Sequence, residues 1–189
     1  MINLKIILTS TRPARKGPSI SSWFYDLAVK HPDFNVELLD LAVINLPFLD
    51  ETQHPRFKKY EHQHTKDWSA MIDAADAFVI VTSEYNFSFP ASIKNAIDYL
   101  YQEWNYKAVT FVSYGGVSGG TRAVEALKQV ITAVNMMPIN AAVHIPAFTK
   151  RIDEHGKFNS DEGLDKSANA VLDELYKWAI ALKTMRENK

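Results

Sequence analysis

The strongest constraint on what this chain can fold into is a strand-like run that opens directly into a polar loop and then a helix start. Ala77, Phe78, Val79, Ile80, Val81 and Thr82 form an apolar, β-branched run; Ser83, Glu84, Tyr85, Asn86, Phe87, Ser88 and Phe89 follow, and Pro90 precedes an amphipathic stretch. The proline is predicted in the first helical turn, where its missing N–H leaves no bond unmade. Ile93, Ala96, Ile97 and Leu100 then recur at i, i+3, i+4 and i+7, which is one face of a helix. In open α/β sheets, ligands sit outside the carboxyl ends of parallel strands, so residues 83–90 are expected at the mouth of such a crevice.

The rest of the chain repeats this unit. Residues 4–8 are nearly continuously apolar, as a strand covered on both faces by crossover helices would be. Ile20, Trp23, Phe24, Leu27 and Ala28 follow at helical spacing. Residues 34–41 alternate as a second strand, and 42–63 read as a long irregular segment. Trp68, Met71, Ile72 and Ala75 mark a helix expected to end at Asp76. Residues 107–113 and 140–146 are predicted strands. Between them Ala123, Leu127, Val130, Ile131 and Val134 share a helical face, and Leu164 to Leu182 form a closing helix. The polar segment 148–161 resembles a hairpin or surface flap. Five strands alternating with five helices predict a doubly wound parallel sheet of order 2-1-3-4-5, with helices on both faces and one domain over residues 1–189.

Composition narrows the chemistry. With 21 basic and 22 acidic residues there is no electrostatic footprint for nucleic acid, and the absence of cysteine removes disulfides, iron–sulfur clusters and thiol nucleophiles. The apolar run at the N-terminus is too short for a signal peptide, and no segment has the length of a membrane span, so the chain is expected to be cytoplasmic and mature from Met1. His62 and His64 have no carboxylate or third histidine at ligand spacing, so no metal site is expected.

Three loops carry the polar chemistry. Residues 9–19 are rich in hydroxyls and cations; Ser10, Arg12, Arg15, Gly17, Ser19 and Ile20 lead into a helix N-terminus and suit a phosphate, although a capped turn with solvated cations explains the same residues. The second loop is 83–90. The third holds Ser113, Tyr114, Gly115, Gly116, Gly119 and Gly120, where backbone can approach a flat ligand, although a tight strand-to-helix turn also accounts for the glycines. In the order 2-1-3-4-5 all three surround one switch point.

These residues are also where the chain resembles a known family. Thr9, Ser10, Thr11, Arg12 and Pro13 with Arg15 and Gly17, then Glu84, Tyr85, Asn86, Ser88, Pro90 and Ala91 with Lys94 to Asp98, then Ser113 to Gly116 with Gly119 and Gly120, resemble the NADPH-dependent FMN reductases over most of residues 2–145. That resemblance implies a flavodoxin-like fold, FMN as cofactor, NADPH or NADH as co-substrate, and a quinone, flavin, azo compound or similar small acceptor. It implies that Ser10, Arg12 and Ser19 hold the phosphate, that Ser83, Glu84, Tyr85 and Asn86 line the flavin ring, and that Ser113, Tyr114, Gly115 and Gly119 close its other side. The family commonly has proline where Ser83 stands. A homodimer is implied too, with a tetramer as the larger option, and the aromatic cluster Tyr99, Tyr101, Trp104 and Tyr106 suits an interface, although roofing of the core would explain half of it. Arg15, Lys16 and Arg56 are the candidates for a 2′-phosphate, none of them in a dedicated motif.

The rival with the same fold is a non-catalytic flavodoxin-type electron carrier. Docking by such carriers needs a strongly acidic face, and a net charge of −1 supplies none. A receiver domain would need acidic residues where Leu8, Thr9, Thr82 and Ser83 stand. A scaffold that has lost its ligand would have no reason to keep Ser10, Arg12, Tyr85 and Asn86 together.

Overall fold

The computed structural model describes residues 1–188. Four seven-residue strands, β1 (Ile2–Leu8), β2 (Phe34–Asp40), β3 (Ala77–Ser83) and β4 (Ala108–Tyr114), run parallel in the order β2-β1-β3-β4. Every residue of β3 and β4 is buried, as expected of central strands with helices on both faces. Successive side chains go to opposite faces. Leu4, Ile6 and Leu8 pack with Val79 and Val81 against Phe24, Leu172 and Leu175. Ile7, Phe78, Ile80 and Phe111 pack on the other side against Trp68, Ile93 and Leu127.

The first of these cores lies under α1 (Gly17–Ala28), and the second under α3 (Gln63–Asp73), α4 (Ala91–Asp98) and α5 (Thr121–Ala133). The short α2 (Leu41–Ile44) and a 3₁₀ turn at Pro55–Phe57 give local order to the segment predicted as irregular. Asp40 caps α2, its Oδ1 accepting from Ala42 N at 2.9 Å. The closing helix α6 (Glu162–Glu187) joins α1 and is capped by Asp161, whose Oδ1 accepts from Leu164 N at 2.8 Å. No described helix is long and apolar enough to cross a membrane.

Three boundaries differ from expectation. The fifth strand position is filled by two pieces, β5 (Met137–Pro138) and β6 (Val143–Ile145), both parallel to β4. Between them β4 advances three residues and its neighbour five, so residues 139–142 bulge. Pro138 has no N–H to continue the ladder. Ile139 N donates to Val109 O and Thr110 Oγ1 to Ala141 O at 2.6 Å, which ties the bulge down. Pro90 stands at the N-cap of α4, its ψ of 141° extended, one residue before the helical turn it was expected to enter. Helix α3 ends at Asp73, and Asp76 instead accepts from Asn3 N at 3.0 Å at the entry to β3.

The flap at 148–161 is a 3₁₀ turn (Phe148–Arg151) followed by a hairpin closed by an Ile152–Phe158 bridge. His62 and His64 stack 5.2 Å apart and both turn toward Asp50, a carboxylate too distant in sequence to register at ligand spacing.

Candidate functional site

The carboxyl ends of β1, β3 and β4 meet at a cluster of hydroxyls. Ser10 and Ser83 are buried, and neither hydroxyl has a hydrogen-bond partner. Leaving such a group unsatisfied costs about 1–3 kcal/mol, so the orphaned pair is a feature to be explained. The Tyr114 phenol lies beside them; burial pushes it up, and the two serine hydroxyls act in the opposite sense. Helix α1 starts directly against this cluster. A Cβ at Gly17 would lie 2.4 Å from Ser10 Oγ and 2.6 Å from the Tyr114 hydroxyl, so only glycine allows this approach. Lys16, at the N-cap, makes no side-chain cap, and Pro18 occupies the first turn. The helix begins two residues before the predicted Ser19, and its uncapped N–H groups face an end where negative charge is favoured.

The cations of this loop have separate jobs. Arg12 is exposed and pairs with no acid among the described residues. Arg15, by contrast, makes a bidentate pair with Asp40 at 2.6 Å per bond and donates to Ser10 O at 2.6 Å. The Asp40 hydrogen bonds hold the Arg15 guanidinium above its usual range. Arg15 thus braces the loop against the end of β2. Ser19 Oγ donates back to Lys16 O at 2.9 Å, and the Ile20 side chain is core, so only its backbone reaches the loop.

The β3–α4 loop extends the sheet by one bond, Glu84 N donating to Tyr114 O at 3.2 Å. Tyr85 and Ser88 then exchange two backbone bonds of 2.8 and 2.9 Å around a two-residue turn. Asn86 (φ 50°) and Phe87 (φ 67°) are both left-handed there. Asparagine tolerates that region, whereas a bulky aromatic in it is strained. Ser92 Oγ donates to Thr9 O and joins the start of α4 to the first loop.

The β4–α5 loop turns on Gly119 and Gly120. At Gly120, the N-cap of α5 with φ 86°, a Cβ would lie 2.8 Å from Ser113 Cβ and 2.9 Å from Tyr114 N. Ser113 Oγ donates to Gly119 O at 2.8 Å; with its single proton spent there, it accepts from His144 Nδ1 at 2.7 Å. Burial holds His144 below its ordinary range. Gly115 N donates to Ile145 O at 3.3 Å, which backs the loop onto β6.

Ser10 and Arg12 on the first loop with Gly17 and Ser19 at the start of α1, Ser83 at the end of β3 with Glu84 to Asn86 on the second loop, and Ser113 and Tyr114 at the end of β4 with Gly115 and Gly119 on the third are thus all at one sheet edge. Asp40, Ser92, Ser118 and Arg122 belong to the same edge and were not foreseen. No local pattern marks them, because each acts on a residue far away in the chain. The Glu84 side chain is turned across the slot, bound by Ser118 of the facing loop and by Arg122 in the first turn of α5. Orphaned hydroxyls, an uncapped helix start and an unpaired arginine fit a phosphate monoester, and the two turns beside them fit a flat ring.

The family model described as NADPH-dependent FMN reductase matches residues 2–150. An NAD(P)H-dependent FMN reductase from Schizosaccharomyces pombe is 38% identical over 146 residues, covering 76% of this chain and 71% of the relative. Another from a Nectria species is 32% identical over 195 residues, covering 100% and 96%. In fold, the chain resembles FerB, a flavoenzyme NAD(P)H:(acceptor) oxidoreductase from Paracoccus denitrificans, with a TM-score of 0.70 at 19% identity over 97% of this chain and 98% of that one. The sheet order, the three loops at its carboxyl edge and the match across residues 2–150 together make this chain a member of the NADPH-dependent FMN reductase family.

Proposed function

We propose that this chain is an FMN-dependent NAD(P)H oxidoreductase that passes reducing equivalents to a small acceptor such as a quinone, a flavin or an azo compound. The observation that carries this reading is the buried, unpartnered Ser10 hydroxyl beneath the uncapped start of α1, with Arg12 exposed and unpaired above it. In this reading Ser10, Arg12 and Ser19 hold the phosphate, and Gly17 keeps the helix start close. Ser83, Glu84, Tyr85 and Asn86 form one wall of the ring site; Ser113, Tyr114, Gly115 and Gly119 form the other. Arg15 acts on the site only as the brace that holds Ser10 and its loop in place. When bound, the flavin supplies hydride acceptance and return, so the chain's residues bind and orient rather than act as acid or base.

The working form in this reading is one cytoplasmic domain, residues 1–189, assembled as a homodimer, with a tetramer as the larger option. Val43 and Phe48 are 79% and 85% exposed beside a cavity of about 440 Å³ between α2 and α4, an apolar surface suited to a second subunit. Nucleic acid and membranes are not among its partners, which agrees with a net charge of −1.

The test is an absorption spectrum of the purified protein, with added FMN, before and after anaerobic NADPH. Flavin bands that bleach on NADPH are the expected result. Protein that stays colourless and takes up no FMN would sink the reading.

A further inference from the structure

Glu84 of the β3–α4 loop is held by two side chains across the slot, Ser118 of the β4–α5 loop and Arg122 of the helix that follows it. Glu84 is nearly buried, its side chain 7% exposed. Its carboxylate is fully engaged: Arg122 Nε donates to Oε1 at 2.6 Å, Ser118 Oγ donates to Oε2 at 2.7 Å, and Arg122 Nη2 also contacts Oε1. Burial acts to raise the Glu84 carboxyl, yet these bonds outweigh it and hold it below the ordinary carboxylate range. On its other side the Arg122 guanidinium lies 3.9 Å from the centroid of the Phe87 ring. Phe87 is the left-handed aromatic at the tip of the β3–α4 loop, and it is 68% exposed. Arg122 therefore sits between the buried root of that loop and its strained tip, and itself belongs to the first turn of α5.

We propose that Arg122 is a positioning residue that latches the β3–α4 loop onto the rigid start of α5 and so sets the width of the slot between the two loops. The proposal rests on the flavin reading above. An exposed ion pair alone would be worth little. Here one partner is buried, and truncating the other strands a desolvated carboxylate at the root of the loop. Arginine is suited to the job because its planar fork can bind a carboxylate with its edge while its face stacks on an aromatic ring; lysine has neither geometry. The two backbone bonds between Tyr85 and Ser88 close the turn itself, and the stacking ties its Phe87 tip to α5. Without it the tip would be free to leave the slot, and the ring would have to order the loop as it bound, which lowers affinity.

The experiment compares full-length wild type, Arg122→Gln, Arg122→Lys, Glu84→Gln and the Glu84→Gln/Arg122→Gln double variant. FMN affinity is read by fluorescence titration, the environment of the ring by visible circular dichroism, and stability by the melting temperature of the FMN-free chain. Arg122→Gln is expected to weaken FMN binding by about tenfold and to reduce the flavin dichroism. Its FMN-free melting temperature should fall by several degrees, because the Glu84 carboxylate loses its cation, and the double variant, which removes that charge as well, should melt higher than Arg122→Gln alone. In FMN affinity Arg122→Lys should fall between wild type and Arg122→Gln, and the double variant should be no weaker than Arg122→Gln alone, since both changes open one latch. Phe87→Asn, which keeps a residue tolerant of the left-handed turn but removes the ring, should weaken FMN binding by about two- to fivefold even if Arg122→Gln fails to fold. Wild-type affinity and dichroism in Arg122→Gln, or losses that add in the double variant, would overturn the latch alone. Wild-type protein that takes up no FMN would overturn the functional reading and the latch together.

Discussion

Arg12 stands exposed on the β1–α1 loop with no acidic partner among the described residues, so removing it breaks no ion pair within the chain. Arg12→Ala is expected to raise the FMN dissociation constant by about tenfold or more. Its unfolding free energy in urea should change by less than about 0.5 kcal/mol. Equal flavin affinity in the variant would refute the role. Gly17 is the opposite case. Its Cβ would enter the space of Ser10 Oγ and the Tyr114 hydroxyl, so Gly17→Ala is expected to cost about 1–3 kcal/mol in urea unfolding and to weaken FMN binding as well. A neutral substitution there would mean that the helix start can withdraw. Ser10, Arg12 and Gly17 were legible in the sequence because the loop that holds them is continuous. The job of Arg15 was not, because Asp40 lies 25 residues away and becomes its neighbour only through the pairing of Leu8 with Asp40 across β1 and β2. Glu84 and Arg122 are farther apart still, and nothing in either loop announces the contact.

At the scale of elements, the strands were readable because their apolar residues divide between two faces. The fifth was misread as one piece because only the pairing with β4 reveals the bulge around Pro138. One element junction also carries a titration. Lys107, at the foot of β4, is buried and donates to Ile72 O and Asp73 O, at 2.8 and 3.0 Å, closing the end of α3. Burial pushes it down to about 8 from 10.5, with Asp73 acting the other way. Below pH 8 both folded and unfolded chains hold this proton, and the cost of burying the charge is present in full. Between about pH 8 and 10.5 only the unfolded chain holds it, so the contribution of Lys107 to stability rises with pH. Wild type should therefore gain on Lys107→Met in urea unfolding between pH 7.5 and pH 9.5. Parallel changes in the two proteins would argue against a depressed lysine.

For the whole molecule, the aromatic cluster expected at an interface divides, Tyr99 and Trp104 roofing the core and Tyr101 and Tyr106 staying half-buried. Tyr99 and Trp104 are buried in the core, where the Tyr99 hydroxyl donates to Asp50 Oδ1 at 2.9 Å and the Trp104 indole to Ile97 O at 3.2 Å. The segment that covers this region folds back from 42–62, and no short-range periodicity could show that it would. What it leaves outside is Val43, Phe48, Leu49 and Phe57. Phe48→Asp is accordingly expected to shift sedimentation from dimer to monomer while the far-ultraviolet dichroism is unchanged. An unaltered sedimentation coefficient would place the interface elsewhere. The broken fifth strand bears on the same question from another direction. A sheet that ends in a continuous ladder of free N–H and C=O groups can be extended by any passing strand, and so offers a template for fibrils. Here that margin is interrupted by a proline and four residues out of step. At that border a further strand would find no regular ladder to join, whereas the β2 border keeps seven residues in register with β1 and is the side on which the sheet could still be extended.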